Sequence, residues 1–235
     1  SSTKTRRLLD ACIETAHFPS YTAFDISESA LRSGGTTLSN HYDWLEIDLL
    51  LGDYEAGFKN IPNYNESRLV LFLGSTIGNF EKDHAIGFLS DLRANMSVRD
   101  RLLVGFDRVK DKQILNAAYN DQEGVTAAFN LNVLNVLNNQ LGANFDSKKF
   151  RHSASYHMEK EQVEMHLISI CAQQVTFDTL AASIKIASGE RIRTEISRKF
   201  TAKSVADLLG ATGFTVEQDF ASANGYFSLV LAQPI

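Results

Sequence analysis

The sequence predicts an α/β fold, a doubly wound domain of alternating strands and helices that is interrupted by an inserted second lobe. The first half alternates between helical spacing of apolar residues and short strand-like runs. From residue 110 the pattern changes to helices followed by consecutive strand-like segments, and after residue 199 a helix and two strands close the chain. We therefore expect one domain formed by residues 1–109 and 200–235, with residues 110–199 as the inserted lobe.

Local apolar patterns predict the elements of the first domain. Helical spacing over residues 3–17 predicts the first helix, and Ser27 is placed to cap a second helix bracketed by Glu28 and Glu46. Residues 68–73 are nearly all apolar, as expected for a strand that is covered on both faces. The predicted strands are 21–24, 46–51, 68–73 and 101–106, and a third helix spans 81–95.

The second half of the chain predicts helices first and strands afterwards. Residues 110–141 are expected to be helical, with Val125, Phe129, Val133, Val136 and Leu137 on one side. Gly189-Glu190 indicates a hairpin turn in the block that follows. The predicted strands are 150–158, 162–171, 175–177, 181–187 and 193–200, followed by helix 203–210 and a closing hairpin of strands 213–220 and 226–232.

Composition excludes several classes of protein. The net charge is −5, and the sequence shows no basic patch. Both observations argue against a nucleic-acid partner. Cys12 and Cys171 have no CxxC spacing, so we expect neither a disulfide framework nor a zinc site, and we expect a cytoplasmic protein without a membrane span. Four histidines do not cluster with cysteines or carboxylates at metal-ligand spacing, so no metal is expected: His84, His152, His157 and His166.

Acidic residues follow several predicted strands, where ligands bind in open α/β sheets. Asp25 could accept hydrogen bonds from a ribose diol, or it could simply start the next turn. Asp53 could accept from an adenine amino group with Tyr54 stacked beside it, or Gly52-Asp53 could be a plain turn. Asp107 ends the fourth strand at the same expected edge. These residue types alone leave both alternatives open.

The loop at residues 74–79 follows a fully apolar strand and combines glycines with small polar residues. Glycine allows a ligand to approach the backbone closely. Ser75 and Thr76 offer hydroxyl groups, and Asn79 offers both a donor and an acceptor. The pattern is typical of a ligand-binding loop, although a glycine-rich turn without a ligand would look the same.

Several motifs in this chain resemble the histidine-specific methyltransferase family. The similarity covers essentially the whole chain, and the motifs occur in the family's order. They are Leu71–Phe80 (LFLGSTIGNF), Ala118–Asp121 (AYND), Gly124–Asn130 (GVTAAFN), Asn132–Asn135 (NVLN), Glu164–Leu167 (EMHL), Arg193–Ser197 (RTEIS) and Lys199-Phe200.

The resemblance implies a Rossmann-like methyltransferase domain dependent on S-adenosylmethionine, with an inserted α+β substrate-binding lobe. A reversed final strand, as in the predicted closing hairpin, is common in such methyltransferases. The implied reaction is methylation of the α-amine of a free amino acid, with L-histidine converted to its trimethyl betaine in the first step towards ergothioneine. The implied partner is therefore a small amino acid, and we expect a monomer.

The resemblance also implies roles for individual residues. Asn79 and Tyr119 match residues that hold the amino and carboxylate groups of the substrate, and they are the expected catalytic pair. Glu195 and Ser197 match the pair that holds the imidazole. The surrounding pocket is matched by Met165, Thr126, Asn130 and Gly74. The cofactor contacts are matched by Lys4, Asp25, Asp53, Tyr54, Gly74, Ser75 and Thr76.

The spacing of Glu195 and Ser197 suits an imidazole, because residues two apart on a strand point to one face. A carboxylate can accept from one ring N–H while a hydroxyl serves the other nitrogen. The alternative is a solvated surface strand in which Arg193, Thr194 and Glu195 contact only water.

Two further hypotheses follow, one from the resemblance and one from a point at which this sequence departs from the family's pattern. Fungal relatives methylate a prenylated tryptophan, whose indole has one N–H and no second nitrogen, so a carboxylate–hydroxyl pair suits it poorly. In the family a first strand and a glycine-rich cofactor loop precede the segment that opens at Ser1–Thr5, so we expect a chain truncated at its N-terminus. That departure also keeps open a non-catalytic, methyltransferase-like protein.

Overall fold

The computed structural model of the protein describes residues 3–58, 61–62 and 66–235. Its helices are α1 (Thr3–Glu14), α2 (Glu28–Ser39), α3 (Lys82–Ala94), α4 (Lys112–Tyr119), α5 (Val125–Leu141) and α6 (Ala202–Ala211). Its strands are β1 (Tyr21–Asp25), β2 (Ile47–Leu51), β3 (Leu69–Phe72), β4 (Arg101–Asp107), β5 (Phe150–His157), β6 (Gln162–Ser169), β7 (Gln173–Phe177), β8 (Ala182–Ile186), β9 (Arg191–Arg198), β10 (Phe214–Ala221) and β11 (Phe227–Pro234).

Parallel strand pairs and a reversed final strand define the α/β part of the fold. Strands β1 and β2 pair in parallel, and so do β3 and β4. The main sheet has the order β10-β11-β4-β3, with β11 antiparallel to both of its neighbours. The predicted alternation and the predicted closing hairpin are thereby confirmed.

The strand-rich block forms two further sheets. Strands β5, β6 and β9 make an antiparallel sheet in that order, whereas β7 and β8 pair only with each other as a hairpin. The hairpin turn predicted at Gly189-Glu190 is wrong, because this turn joins β8 to β9 in a different sheet. The backbone of Ser169 instead pairs with this turn. Its carbonyl oxygen accepts from Gly189 N at 2.8 Å, and its N–H donates to Glu190 O at 2.9 Å.

Apolar residues gather in several buried clusters. The largest joins α3 and α6 to the main sheet, with Phe106, Leu209 and Val230 at its centre. A separate cluster lies beneath α5 and contains Leu134, Phe145 and Leu167. Within the described residues, no helix is both long and apolar enough to cross a membrane.

Two helix predictions were wrong in extent. Helix α2 ends at Ser39 rather than near Glu46, and its last turn is tightened by a bond from His41 N to Leu38 O at 3.0 Å. The following turn packs Tyr42 and Leu45 against α1 and α2. The predicted start is confirmed, since the Ser27 hydroxyl accepts from Ala30 N at 3.3 Å.

The predicted helical stretch 110–141 is divided by a turn into α4 and α5. The Asp121 carboxylate caps α5 by accepting from Val125 N at 2.7 Å and from Thr126 N at 2.9 Å. Four of the five apolar residues predicted on one side of this helix are exposed, among them Val125 at 70% and Phe129 at 67%, whereas Leu137 packs against the cluster beneath α5. The buried face instead carries Leu134 and Asn130, because those residues lie towards β5 and β6.

Candidate active site

A cavity of about 430 Å³ lies at the carboxyl ends of β3 and β4, where β9 also approaches. In a parallel sheet this edge is the expected position for a ligand. The cavity is lined by Gly74, Ser75, Asn79, Asp107, Lys110, Tyr119, Glu195, Ser197, Tyr226 and Phe227. It therefore contains the four residues predicted to hold the substrate: Asn79, Tyr119, Glu195 and Ser197.

The loop after β3 lies close to two strands, β4 and β9. Gly74 has φ +85° and Ser75 has φ +62°, and the Ser75 hydroxyl accepts from Asp107 N at 2.8 Å. Gly78 lies so close to the end of β9 that an added Cβ would come within 2.8 Å of the Arg198 carbonyl oxygen. The loop consequently has a fixed position between β4 and β9.

A buried lysine joins the substrate residues. The Lys199 side chain has no solvent exposure, and its Nζ lies 2.9 Å from Asp107 Oδ2. The same Nζ donates to Tyr119 Oη at 2.8 Å and to Ser197 Oγ at 2.6 Å. Tyr119 in turn donates its hydroxyl proton to Ser197 Oγ at 2.8 Å. Asp107 also pairs with Lys110 at 2.6 Å, so one carboxylate faces two cations.

Glu195 is half-buried beside this network. Burial raises the pKa of its carboxyl group, and the positive charge of Lys199 partly opposes that rise. Arg193 contacts Glu81 at 3.0 Å and does not line the cavity, which separates it from Glu195 and Ser197. The expected common orientation of Glu195 and Ser197 agrees with their shared place in the cavity wall.

Three predicted pocket residues lie outside the cavity lining. Met165 is buried opposite Glu195 in the β6–β9 pairing, and Thr126 belongs to the first turn of α5. Asn130 is also buried and donates to His152 Nδ1 at 2.9 Å. Asn130 therefore contacts a histidine and not the cavity.

The same histidine supports Tyr119. His152 Nε2 lies 2.8 Å from the Tyr119 carbonyl oxygen, which can only accept a hydrogen bond. Nε2 must therefore carry the proton, which leaves Nδ1 as the acceptor for the Asn130 amide. Asn130 and His152 thus fix the backbone that carries Tyr119.

The predicted cofactor residues occupy two neighbouring areas. Gly74 and Ser75 line the cavity, and Lys4 Nζ lies 3.1 Å from the position that a Cβ on Gly74 would take. The Thr76 hydroxyl donates to Leu73 O at 3.3 Å. The ends of β1 and β2 meet where Asp25 O accepts from Gly52 N at 3.0 Å, one residue before Asp53.

Two of these residues have structural contacts as well. One carboxylate oxygen of Asp25 accepts from Ser27 N at 2.8 Å, as the turn hypothesis expected. The Tyr54 ring lies edge-on against Phe72 and Phe88, with centroids 6.2 and 5.8 Å away. The stacking of Tyr54 on adenine stays a prediction.

The residues present fit S-adenosylmethionine. A glycine with positive φ leaves its backbone open beside a lysine ammonium, which suits a ligand that carries a carboxylate. Asp25 and Asp53 at adjacent strand ends suit the hydroxyl and amino groups of a nucleoside. In the part of the chain that the structure describes, no group of three or more His, Cys, Asp and Glu side chains could hold a metal ion.

Sequence reasoning missed five residues of the site. Asp107 was recognised only as a strand end, and Lys110, Lys199, Tyr226 and Phe227 were given no role. One signal was present, because Glu195, Ser197 and Lys199 alternate along the chain with the period of a strand. Tyr226 and Phe227 offered no local signal, since only the β11–β4 pairing brings them to Asp107.

Comparison with known proteins identifies the family of the chain. A family model described as histidine-specific methyltransferase, SAM-dependent, matches residues 1–234. Histidine N-alpha-methyltransferase of Mycolicibacterium smegmatis is 40% identical over 232 residues, which cover 99% of this chain and 72% of that protein. The protein of the same name from Mycobacterium tuberculosis is 38% identical over 232 residues, with the same two coverages.

A solved structure supports the fold alone. The crystal structure of the PH0226 protein from Pyrococcus horikoshii OT3 has a TM-score of 0.50 and 12% identity, and the match covers 97% of this chain and 78% of that chain. Together with the sheet order and the family match, this likeness confirms the predicted Rossmann-like α/β fold.

Proposed function

We propose, from the premise that this chain belongs to the family of histidine-specific, SAM-dependent methyltransferases, that it methylates the α-amine of free L-histidine to give the trimethyl betaine. The observation that carries the proposal is the cavity at the carboxyl ends of β3 and β4. It brings Asn79 and Tyr119 together with Glu195 and Ser197, although the first and the last of these lie 118 positions apart in the sequence.

The residues in this cavity suit the two ends of histidine. Asn79 and Tyr119 bind and orient the amino acid group, and the Tyr119 oxygen accepts from the amine N–H. Glu195 and Ser197 bind the imidazole, with the carboxylate on a ring N–H. The amine and the nearer ring nitrogen of histidine lie close together, which agrees with the direct contact of 2.8 Å between Tyr119 and Ser197.

The chemistry requires orientation more than acid–base catalysis. S-adenosylmethionine, when bound, supplies an electrophilic methyl group on a sulfonium. A free amine attacks only after it has lost its proton, since its reference pKa is about 8. Asn79 and Tyr119 then aim the nitrogen lone pair towards the loop at Gly74. The aromatic ring of Phe227 in the cavity wall suits the cation that grows with each methyl group.

The assignments on the cofactor side complete the proposal. Lys4 binds the carboxylate of the methionine part, Asp25 the ribose, and Asp53 with Tyr54 the adenine. Gly74, Ser75 and Thr76 form the loop that faces the reacting groups. Met165, Thr126 and Asn130 support the pocket, and residues 110–199 act as the substrate lobe on a methyltransferase domain of residues 1–109 and 200–235. A monomer in the cytoplasm, without a nucleic-acid or membrane partner, also remains a prediction.

The first experiment mixes the full-length protein with S-adenosylmethionine and equimolar amino acids, including histidine and tryptophan. Mass spectrometry follows the methylated products. We expect stepwise methylation of histidine alone. Methylation of a tryptophan derivative or another amino acid would contradict the acceptor, and absence of both product and cofactor binding would contradict the enzyme assignment.

Matched variants on one strand sharpen this experiment. Glu195→Gln and Ser197→Ala should raise KM for histidine by about tenfold or more. In the first variant the ring N–H faces a neutral amide oxygen instead of a carboxylate, and in the second a ring nitrogen loses its hydroxyl partner. Arg193→Gln is the control, since Arg193 contacts Glu81 outside the cavity. Equal loss in all three variants would indicate a general defect of β9.

A further inference from the structure

We propose that Lys199 is a positioning residue that makes Ser197 a hydrogen-bond donor towards the substrate, and so selects the neutral imidazole that carries its proton on Nε2. The inference rests on the proposed function, because it assumes histidine as the methyl acceptor. It assigns a role to a side chain that lies behind the cavity wall and does not line it.

The ammonium group of Lys199 has all its donors in use. A lysine ammonium has three N–H groups and no acceptor. These match three partners: Asp107 Oδ2 at 2.9 Å, Tyr119 Oη at 2.8 Å and Ser197 Oγ at 2.6 Å. With no solvent exposure of its side chain, Lys199 has a fixed direction for each donor.

These bonds determine what Ser197 can still offer. A serine hydroxyl has two acceptor lone pairs and one proton. One lone pair accepts from Lys199 and the other accepts from the Tyr119 hydroxyl at 2.8 Å. Only the proton of Ser197 is left for a ligand in the cavity. Without Lys199, the hydroxyl could donate or accept, and this selection would be lost.

Donor and acceptor then alternate along the cavity wall. Ser197 donates, and Glu195 two residues earlier accepts through its carboxylate. A neutral imidazole presents one acceptor nitrogen and one N–H, which match this pair. An imidazolium presents two N–H groups, and an indole presents no acceptor nitrogen, so either would leave the Ser197 proton without a partner.

The contact between Ser197 and Tyr119 selects the tautomer. Tyr119 faces the α-amine in the proposed binding mode, and the ring nitrogen nearest to that amine is Nδ1. Ser197 therefore donates to Nδ1. The proton of the ring must then lie on Nε2, where Glu195 accepts it.

Lys110 provides a matched control within the same charge network. It contacts Asp107 Oδ1 at 2.6 Å and the Tyr226 carbonyl oxygen at 3.1 Å, whereas Lys199 occupies Asp107 Oδ2. Replacing either lysine by methionine removes one positive charge beside Asp107. Only the change at Lys199 removes the bonds to Ser197 and Tyr119.

The test is a double-mutant cycle with steady-state kinetics. Lys199→Met and Lys110→Met are each made in the wild-type and in the Ser197→Ala background. We expect Lys199→Met to raise KM for histidine about tenfold in the first background and less than about threefold in the second, because it acts through Ser197. Lys110→Met should raise KM for histidine by the same factor in both backgrounds. Equal effects of Lys199→Met in the two backgrounds would overturn the inference.

A second measurement uses the wild-type protein, so it stands even if Lys199→Met does not fold. Histidine labelled with nitrogen-15 in the ring is bound together with S-adenosylhomocysteine, and its ring nitrogens are observed by NMR at pH 7. We expect a protonated Nε2 and an unprotonated Nδ1. Bound imidazolium, or a proton on Nδ1, would overturn this inference even where histidine is methylated. Failure of histidine methylation in the first experiment would overturn the proposed function as well.

Discussion

The residues proposed to bind the substrate and those proposed to bind the cofactor, called here the substrate side and the cofactor side, are held in different ways. On the substrate side, Tyr119, Ser197 and Lys199 contact one another through hydrogen bonds of 2.6 to 2.8 Å, and Asp107 pairs with the lysine. On the cofactor side, Lys4 comes from α1, whereas Asp25 ends a strand of the separate β1–β2 pair.

The difference shows where the chain itself fixes the site. Asp107 ends β4 and joins the substrate residues to the main sheet through ion pairs, so their geometry is set before a ligand arrives. The predicted cofactor residues lie on separate elements, namely α1, the ends of β1 and β2, and the loop after β3. We therefore expect substitutions on the substrate side to change stability and catalysis together, and substitutions on the cofactor side to change cofactor affinity with a much smaller loss of stability.

The largest effect is expected from Asp107→Ala. This change leaves Lys199 buried without its counter-ion, and breaking such a pair costs about 3–5 kcal/mol of unfolding free energy. Chemical denaturation measures the loss. Asp25→Ala is the control on the cofactor side, because it removes a turn contact at a strand end and should cost only about 1 kcal/mol. Similar losses in the two variants would contradict the comparison.

Tyr119→Phe should reduce kcat by about a hundredfold, because the amine loses the group that orients it. The dissociation constant of S-adenosylmethionine should change by less than about twofold, since Tyr119 lies on the substrate side. Steady-state kinetics and calorimetry measure the two quantities separately. A parallel fall in turnover and cofactor affinity would argue against the role given to Tyr119.

Lys4→Met tests the cofactor side. Loss of a charge-assisted hydrogen bond should weaken S-adenosylmethionine binding about tenfold, while KM for histidine stays within about twofold. Arg7→Met removes an exposed positive charge from the same helix and serves as the control. If both variants weakened cofactor binding alike, the general charge of α1 would explain the effect, and a specific contact at Gly74 would not.

The smallest expected effect is that of Glu195→Gln on the thermal stability of the protein without ligands. Burial raises the pKa of Glu195, so the folded state holds this proton more tightly than the unfolded state, and the free energy of unfolding falls as pH rises above the ordinary value. Because the group is half exposed, screening keeps the effect small. We expect a Tm about 1–2 °C above wild type at pH 8 and no difference below about pH 4.

Differential scanning calorimetry at the two pH values measures this change. Arg193→Gln, which lies on the same strand, should show no such gain between pH 4 and pH 8. An unchanged Tm for Glu195→Gln at pH 8 would indicate that burial of this carboxylate carries no cost for the folded protein.

Local patterns predicted most of the fold. The apolar runs at β3 and β4 and the closing hairpin follow from residues near one another in sequence, and the structure confirms them. The apolar residues predicted on one side of α5 do lie on a helix, yet Val125 and Phe129 are exposed. Spacing identifies a common side of a helix, but not whether that side meets the core.

The site was predictable in part for the same reason. Glu195 and Ser197 share a face because of their period, and the loop from Gly74 was visible from its glycines. The pairing of Asp107 with Lys199 joins residues 92 positions apart. Its existence depends on how β9 meets the end of β4, which no local pattern contains.

The close approach of Gly78 to Arg198 has a consequence for engineering new acceptor specificity. This contact is made by main-chain atoms, so the distance between the loop at residues 74–79 and β9 does not depend on which side chains stand at positions 195 and 197. A library at these two positions could exchange the imidazole for another ring while the spacing of donor and acceptor is retained. Gly78 itself is the position that such a library should leave untouched.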